Sequence, residues 1–172
     1  MKLNAKELRI SEPTKDQLSK IKRREIYIIL DNILDTYNIG SIFRLADAVA
    51  AKCVYLCGKT QAPPYHRIAK AAVGTEKWVP WQYASSAVEA IAKCKVQSSK
   101  CRVIAIEQYP KAVDFRKVDY KEPIAFVVGN ETEGVSKEAL KLADEIVEIP
   151  MYGVNKSLNV MVSLAIVLSR LI

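Results

Sequence analysis

Ile26-Tyr27-Ile28-Ile29-Leu30 is an unbroken apolar run of β-branched, aromatic and leucine side chains. A strand with one wet face alternates polar and apolar residues, whereas a run without that alternation is apolar toward both faces, as parallel strands covered by helices are. Working outward, Val54-Tyr55-Leu56-Cys57, Arg102-Val103-Ile104-Ala105-Ile106, Ile124-Ala125-Phe126-Val127-Val128 and Glu145 to Ile149 read as further strands. Between them lie helical patterns: Ile39 to Ala50, with Ile42, Phe43, Ala46 and Val49 on one side, then Ser85 to Val96, Ser136 to Leu142 and Leu158 to Leu171. Buried strands alternating with helices predict an α/β fold, a mostly parallel sheet with helices on both faces. No internal repeat or low-complexity linker divides the chain, so residues 25–172 are expected to form one domain behind a basic arm or helix at 1–24.

The 172 residues are 50% hydrophobic and 26% charged, with 26 Lys and Arg against 19 Asp and Glu. A chain of this length buries about 70% of its unfolded surface, needs no disulfide or metal staple, and is too short for two ordinary domains. Met1-Lys2-Leu3-Asn4-Ala5-Lys6-Glu7 lacks the apolar core of a signal peptide, and the longest mostly apolar stretch, Val160 to Leu168, falls well short of a membrane span. The expectation is a cytoplasmic protein with no membrane partner. Cys53, Cys57, Cys94 and Cys101 form no CxxC pair and have no histidine at a zinc-like interval, so reduced, buried thiols and no metal are expected. The net charge of +7 is concentrated: residues 1–24 hold eight Lys or Arg against three Asp or Glu, and residues 59–102 hold eight against two. Such segments suit a polyanion, although the first, ending in Lys20-Ile21-Lys22-Arg23-Arg24, reads equally as a solvated terminus.

In an open parallel sheet, ligands bind beyond the carboxyl ends of the strands, so the loops that follow strands carry the functional information. The first is Asp31-Asn32-Ile33-Leu34-Asp35-Thr36-Tyr37-Asn38-Ile39-Gly40-Ser41-Ile42-Phe43-Arg44. Asn38 stands where a helix N-cap belongs, and Arg44 is either a surface arginine or a guanidinium fixed near the crevice for a phosphate or an oxyanion. The second, Gly129-Asn130-Glu131-Thr132-Glu133-Gly134-Val135-Ser136, has the glycine spacing of a phosphate loop. It carries Val135 at the lysine position and two carboxylates that would repel a triphosphate, which leaves a plain turn or a glycine-hinged loop that closes on a ligand. No Gly-x-Gly pair occurs, which excludes the dinucleotide fingerprint. The third, Ile149-Pro150-Met151-Tyr152-Gly153-Val154-Asn155-Lys156-Ser157-Leu158-Asn159-Val160, either simply begins a helix or mixes polar and apolar groups to enclose an adenosine-like ligand.

In this order the three loops resemble the SpoU/TrmH branch of the SPOUT methyltransferases, which are RNA ribose 2'-O-methyltransferases. The resemblance rests on Asn38-x-Gly40-x-x-x-Arg44, on Gly129-x-Glu131-x-x-Gly134, and on Ile149-Pro150-Met151 followed by Ser157-Leu158-Asn159-Val160. Ala46-Asp47-Ala48 and Gly74-Thr75-Glu76-Lys77-Trp78-Val79-Pro80 match as well, whereas Met161 departs from the small or hydroxyl residues usual there. It implies a sheet whose C-terminal part forms a deep trefoil knot, S-adenosylmethionine held bent by the knotted loops, a homodimer, and tRNA or rRNA as substrate. Gly129, Ile149, Met151 and Leu158, with Ile106, would contact the cofactor. Asn38, Arg44, Glu131, Ser157 and Asn159 would form the catalytic set, Arg44 acting as base or as holder of phosphate and of developing negative charge. Asn38 would hold Arg44 or the ribose, Glu131 would order its loop or orient Arg44, and Ser157 and Asn159 would touch cofactor or nucleotide.

The dimer interface would use the final helix and the first-motif helix, although the apolar face Val160, Leu164, Leu168 and Leu171 would look the same if buried within one subunit. His66, in Pro63-Pro64-Tyr65-His66-Arg67, reads as an incidental surface residue in a loop. Its segment, with Arg67, Lys70 and Lys77, is a candidate for RNA contact through phosphates and stacking. A non-catalytic RNA-binding homologue with the same fold is the alternative, and a small-molecule nucleotide enzyme would have no use for two basic segments.

Overall fold

Along β1 (Arg24–Asp31), Ile26, Ile28 and Leu30 belong to one buried cluster and Tyr27 and Ile29 to another, all of them fully buried. The same alternation divides β2 (Ala51–Cys57), β4 (Arg102–Ile106) and β6 (Ile124–Gly129), because successive side chains of a strand point to opposite faces. The apolar runs therefore feed two cores, one on each side of a sheet. In this computed structural model, which describes residues 2–172, the sheet is completed by β3 (Trp81–Ala84), β5 (Val113–Asp114) and β7 (Glu145–Glu148). Its order is β3-β2-β1-β6-β4-β7-β5, and every pairing is parallel. The expected α/β fold with a parallel sheet and helices on both faces is what forms.

One face is covered by α3 (Thr36–Ala48), α4 (His66–Ala72) and α7 (Val160–Leu168), through Ile39, Ile42, Phe43, Ala46, Ile68, Ala72, Leu164, Val167 and Leu168. The other is covered by α5 (Ala87–Gln97) and α6 (Lys137–Leu142), through Ala87, Ala90, Ile91, Cys94 and Ala139. Each large apolar side chain buried in these layers stabilises the fold by about 1.5–3 kcal/mol. α3 approaches α4 closely at Gly40, where a Cβ would lie 2.5 Å from the Ile68 carbonyl oxygen. The four cysteines are free and buried on the second face, and burial pushes the Cys53 and Cys57 thiols up to about 12. Among the described residues no helix is long and apolar enough to cross a membrane. Val160, Leu164, Leu168 and Leu171 all pack on the first core, so one subunit accounts for that face of the last helix.

The sequence pattern misses two strands and a helix, and places another helix start too late. β3 and β5 lie at the sheet edges, where Gln82 and Tyr83 are exposed and Val113 and Asp114 only half-buried, so neither shows an apolar run. His66, expected in a loop, opens α4, a helix so short that Ile68 and Ala72 are its only buried residues. Asn38 is not the N-cap of α3: Asp35 is, its Oδ1 accepting the Tyr37 N–H at 2.8 Å. Asp and Asn cap equally well, and capping by Asp35 moves Asn38 into the first turn, where it is 5% exposed.

Residues 2–24 carry two capped short helices, α1 (Ala5–Ile10) and α2 (Lys15–Ser19), and three residues of this stretch contact the segment before β3. Gly74 lies against the Leu8 carbonyl, Lys77 pairs with Glu12 at 2.5 Å, and Arg23 donates to the Trp78 carbonyl at 2.6 Å. The two basic segments of the sequence thus meet in space.

Candidate active site

The order of strands reverses between β1 and β6: from β1 the chain moves outward to β2 and β3, and from β6 it moves the other way, to β7. Such a reversal leaves a crevice between the loops after the two strands. Here those loops are tied together. Glu131, after β6, accepts the Leu34 N–H at 3.2 Å and the Asp35 N–H at 3.1 Å, both after β1. It also accepts Asn38 Nδ2 at 3.0 Å, and Asn38 Oδ1 accepts Asn159 Nδ2 at 3.0 Å. Asn159 Oδ1 in turn caps α7, accepting the Met161 N–H at 2.9 Å. Three of the five expected catalytic residues, one from each motif loop, thus form a continuous Asn159–Asn38–Glu131 chain.

Burial by itself raises the Glu131 carboxyl, but the hydrogen bonds from Asn38, Leu34 and Asp35 outweigh it and hold the group below its ordinary value. The ionised form is the one that ties the loops, so the tie is complete at neutral pH and is lost as pH falls through the lowered value. The expected result is that the Leu34 and Asp35 amide NMR shifts titrate together in acid, below the ordinary carboxylate range. The titration should vanish in Glu131→Gln, and shifts that stay flat in the wild type would contradict the tie.

Beside this chain lies a cleft of about 440 Å³ over the carboxyl ends of β4, β6 and β7. All five expected cofactor contacts line it, Ile106, Gly129, Ile149, Met151 and Leu158, together with Glu131, Ser157 and Asn159. Gly129 is required by close approach: a Cβ there would lie 2.1 Å from the Gly134 carbonyl carbon and from the Val135 nitrogen. The turn it begins is closed by reciprocal backbone hydrogen bonds between Asn130 and Gly134, at 3.1 and 2.9 Å. Ser157 is exposed at the rim.

Arg44 is not brought to the cleft. It lies six residues beyond Asn38, on another side of α3, exposed and with no hydrogen bond or ion pair to a described residue.

Three residues outside the expected site set also shape the site. Glu107 accepts the Val135 N–H and the Gln108 N–H, both at 2.8 Å, and so fixes the far end of the glycine loop. Asp31 accepts the Ser136 N–H at 2.8 Å, and Asn130 donates to the Asn32 carbonyl at 2.9 Å. The available signal was position: Asp31, Glu107 and Asn130 end or follow buried strands, where a polar side chain has a purpose other than packing. No three His, Cys, Asp or Glu side chains among the described residues gather as a metal site would require.

A family model described as the SpoU rRNA Methylase family matches residues 25–169. A tRNA (guanosine(18)-2'-O)-methyltransferase of Aquifex aeolicus is 32% identical over 154 residues, covering 86% of this chain and 68% of that protein. Among solved structures, the A. aeolicus TrmH/SpoU tRNA modifying enzyme superposes with a TM-score of 0.78 at 29% identity, over 96% of this chain and 79% of that one. An AdoMet-bound rRNA methyltransferase from Sinorhizobium meliloti gives 0.77 at 29% identity, over 95% of this chain and 58% of that one. The chain thus spans only part of the length of the proteins it matches.

Proposed function

Because the chain belongs to the SpoU rRNA Methylase family, we propose that it transfers a methyl group from S-adenosylmethionine to a ribose 2'-hydroxyl of tRNA or rRNA. The observation that carries this reading is the Asn159–Asn38–Glu131 chain, which joins all three motif loops beside one cleft. The cleft suits the cofactor: its volume is that of a small-molecule site, and it combines apolar Ile106, Ile149 and Leu158 with the peptide groups of a glycine loop. Those residues, with Gly129 and Met151, would hold S-adenosylmethionine. When bound, it supplies a methyl group on a sulfonium that is already an activated leaving group.

The protein then has to place the 2'-oxygen and stabilise the negative charge that develops as its proton passes to solvent or to an RNA phosphate. A guanidinium keeps its proton at neutral pH and is a poor base, so the role assigned to Arg44 is to grip an RNA phosphate and stabilise that charge. Asn38, Glu131 and Asn159 position the loops around the ribose, and Ser157 contacts the nucleotide at the rim. Arg44 has no partner among the described residues and lies outside the cleft, which supports a site completed in a homodimer. Exposed Tyr37 on α3, Val162 on α7, and Tyr152, Val154 and Leu158 between β7 and α7 give a second copy an apolar surface to cover.

The proposal includes the trefoil knot. β7 enters between β4 and β5, and residues 149–159 then carry the chain back across the ends of β4 and β6 to α7, on the face of α3. The arm at 1–24 serves the single domain 25–172 as an RNA-docking surface, its charge pooled with that of residues 59–102.

The test is incubation with total RNA and labelled S-adenosylmethionine, followed by mapping of ribose methylation. Label on a ribose 2'-oxygen is expected, unaffected by chelator, with RNA affinity falling steeply as salt rises. Label only on bases, or none despite tight RNA binding, would overturn the assignment.

A further inference from the structure

A second cleft, of about 420 Å³, lies on the α4 side of β3 and shares no lining residue with the first. Its wall is Pro63, Pro64, Tyr65, His66, Ala69 and Trp81, and Glu76 and Lys77 complete the lining. Glu76 is anomalous. The residue is only 7% exposed, and its carboxylate makes no hydrogen bond or ion pair with any described residue. Among the described residues three enclosed side-chain atoms lack a partner, Arg23 Nη1, Glu76 Oε2 and Trp78 Nε1, and of their residues only Glu76 lines this cleft. A buried carboxylate without donors is costly, so a ligand that brings donors gains what the protein leaves unmet.

We propose that this cleft is a base-binding site that seats an unpaired guanine of the RNA, separate from the ribose that is methylated. The inference rests on the RNA reading above. Tyr65, His66 and Trp81 offer ring faces for stacking, and Tyr65 and His66 lie with ring centroids 5.4 Å apart. Arg67 and Lys70 are exposed on α4, and Lys77 stands at the cleft, where phosphates flanking a seated base would pass. Guanine is the base whose pairing edge carries two adjacent donors, N1–H and the N2 amine, which match the two oxygens of a carboxylate. Cytosine and adenine place a ring acceptor beside their amine, and uracil flanks its single imino group with carbonyls, so each would set a lone pair against Glu76.

The experiment measures affinity for single-stranded pentamers that differ only at the central base: guanine, inosine or adenine. Wild-type protein is expected to bind the guanine pentamer about 5- to 150-fold more tightly than the adenine one. Inosine, lacking the N2 amine, should fall between them. Glu76→Gln should abolish the discrimination and leave affinity for the adenine pentamer unchanged. Tyr65→Ala, an exposed change that spares the core, should weaken binding of all three pentamers.

Equal wild-type affinities, or a guanine preference that survives Glu76→Gln, would overturn the proposal. The ribose methylation assay on the same protein separates the two readings. Methylation without guanine preference sinks only the base site, and guanine preference without methylation sinks only the proposed activity.

Discussion

Arg44→Ala is expected to lower ribose methylation by about two to three orders of magnitude, the usual cost of losing a charge-stabilising donor at a reacting oxygen. S-adenosylmethionine affinity should stay within about twofold, because uniform binding and transition-state stabilisation are separable and Arg44 does not line the cofactor cleft. The substitution is exposed on α3, so the melting temperature should not move. Arg44→Lys keeps the charge without the planar fork and should recover only part of the rate if phosphate gripping is the role. Turnover and cofactor titration on the same preparation decide the matter, and wild-type-like turnover in Arg44→Ala would remove the residue from the mechanism. Since Arg44 stands outside the cleft, mixing Arg44→Ala with a cleft-defective variant tests whether it serves a partner copy in the proposed homodimer: activity recovered in the mixture is the expected result.

Gly129→Ala carries the second large effect, and it acts on cofactor binding rather than on the chemical step. The new methyl would stand 2.1 Å from the backbone of Gly134 and Val135, and backbone cannot step aside as the end of a flexible side chain does. The loop has to open, which breaks the paired hydrogen bonds between Asn130 and Gly134 and withdraws Glu131 from Leu34 and Asp35. A loss of about 1–3 kcal/mol in folding stability is expected. The cofactor should bind more weakly, since Gly129, Asn130, Glu131, Thr132 and Gly134 of the displaced loop all line the cleft. Gly153→Ala is the control. A Cβ at Gly153 meets nothing within 4 Å, so stability should be unchanged. Calorimetry of cofactor binding together with thermal denaturation separates the two variants, and equal behaviour would refute the crowding argument.

The strands and the two-faced burial were legible along the chain because a parallel strand is buried by its own composition: Ile26 to Leu30 and Ile124 to Val128 are apolar at every position. The edge strands were not, since exposed Gln82 and Tyr83 carry no burial signal. The start of α3 was misplaced because Asp35 and Asn38 are equally acceptable caps in isolation, and only the partners of Asn38 show which one turns inward. Residue types at the candidate site were also legible, as members of three motif loops.

Their meeting was not. Asn38 reaches Glu131 across 93 residues and Asn159 across 121, and no local rule of spacing encodes contacts at that separation. Glu107, which holds Val135 from 28 residues away, passed unnoticed for the same reason. The sequence by itself determined which segments are strands, that both of their faces are covered, and which loops bear polar groups, because periodicity and composition act locally. Only the tertiary structure decided the strand order, the reversal between β1 and β6 that opens the cleft, the exclusion of Arg44 from that cleft, and the isolation of Glu76 beside a second one. Those features depend on which buried faces pack together in three dimensions.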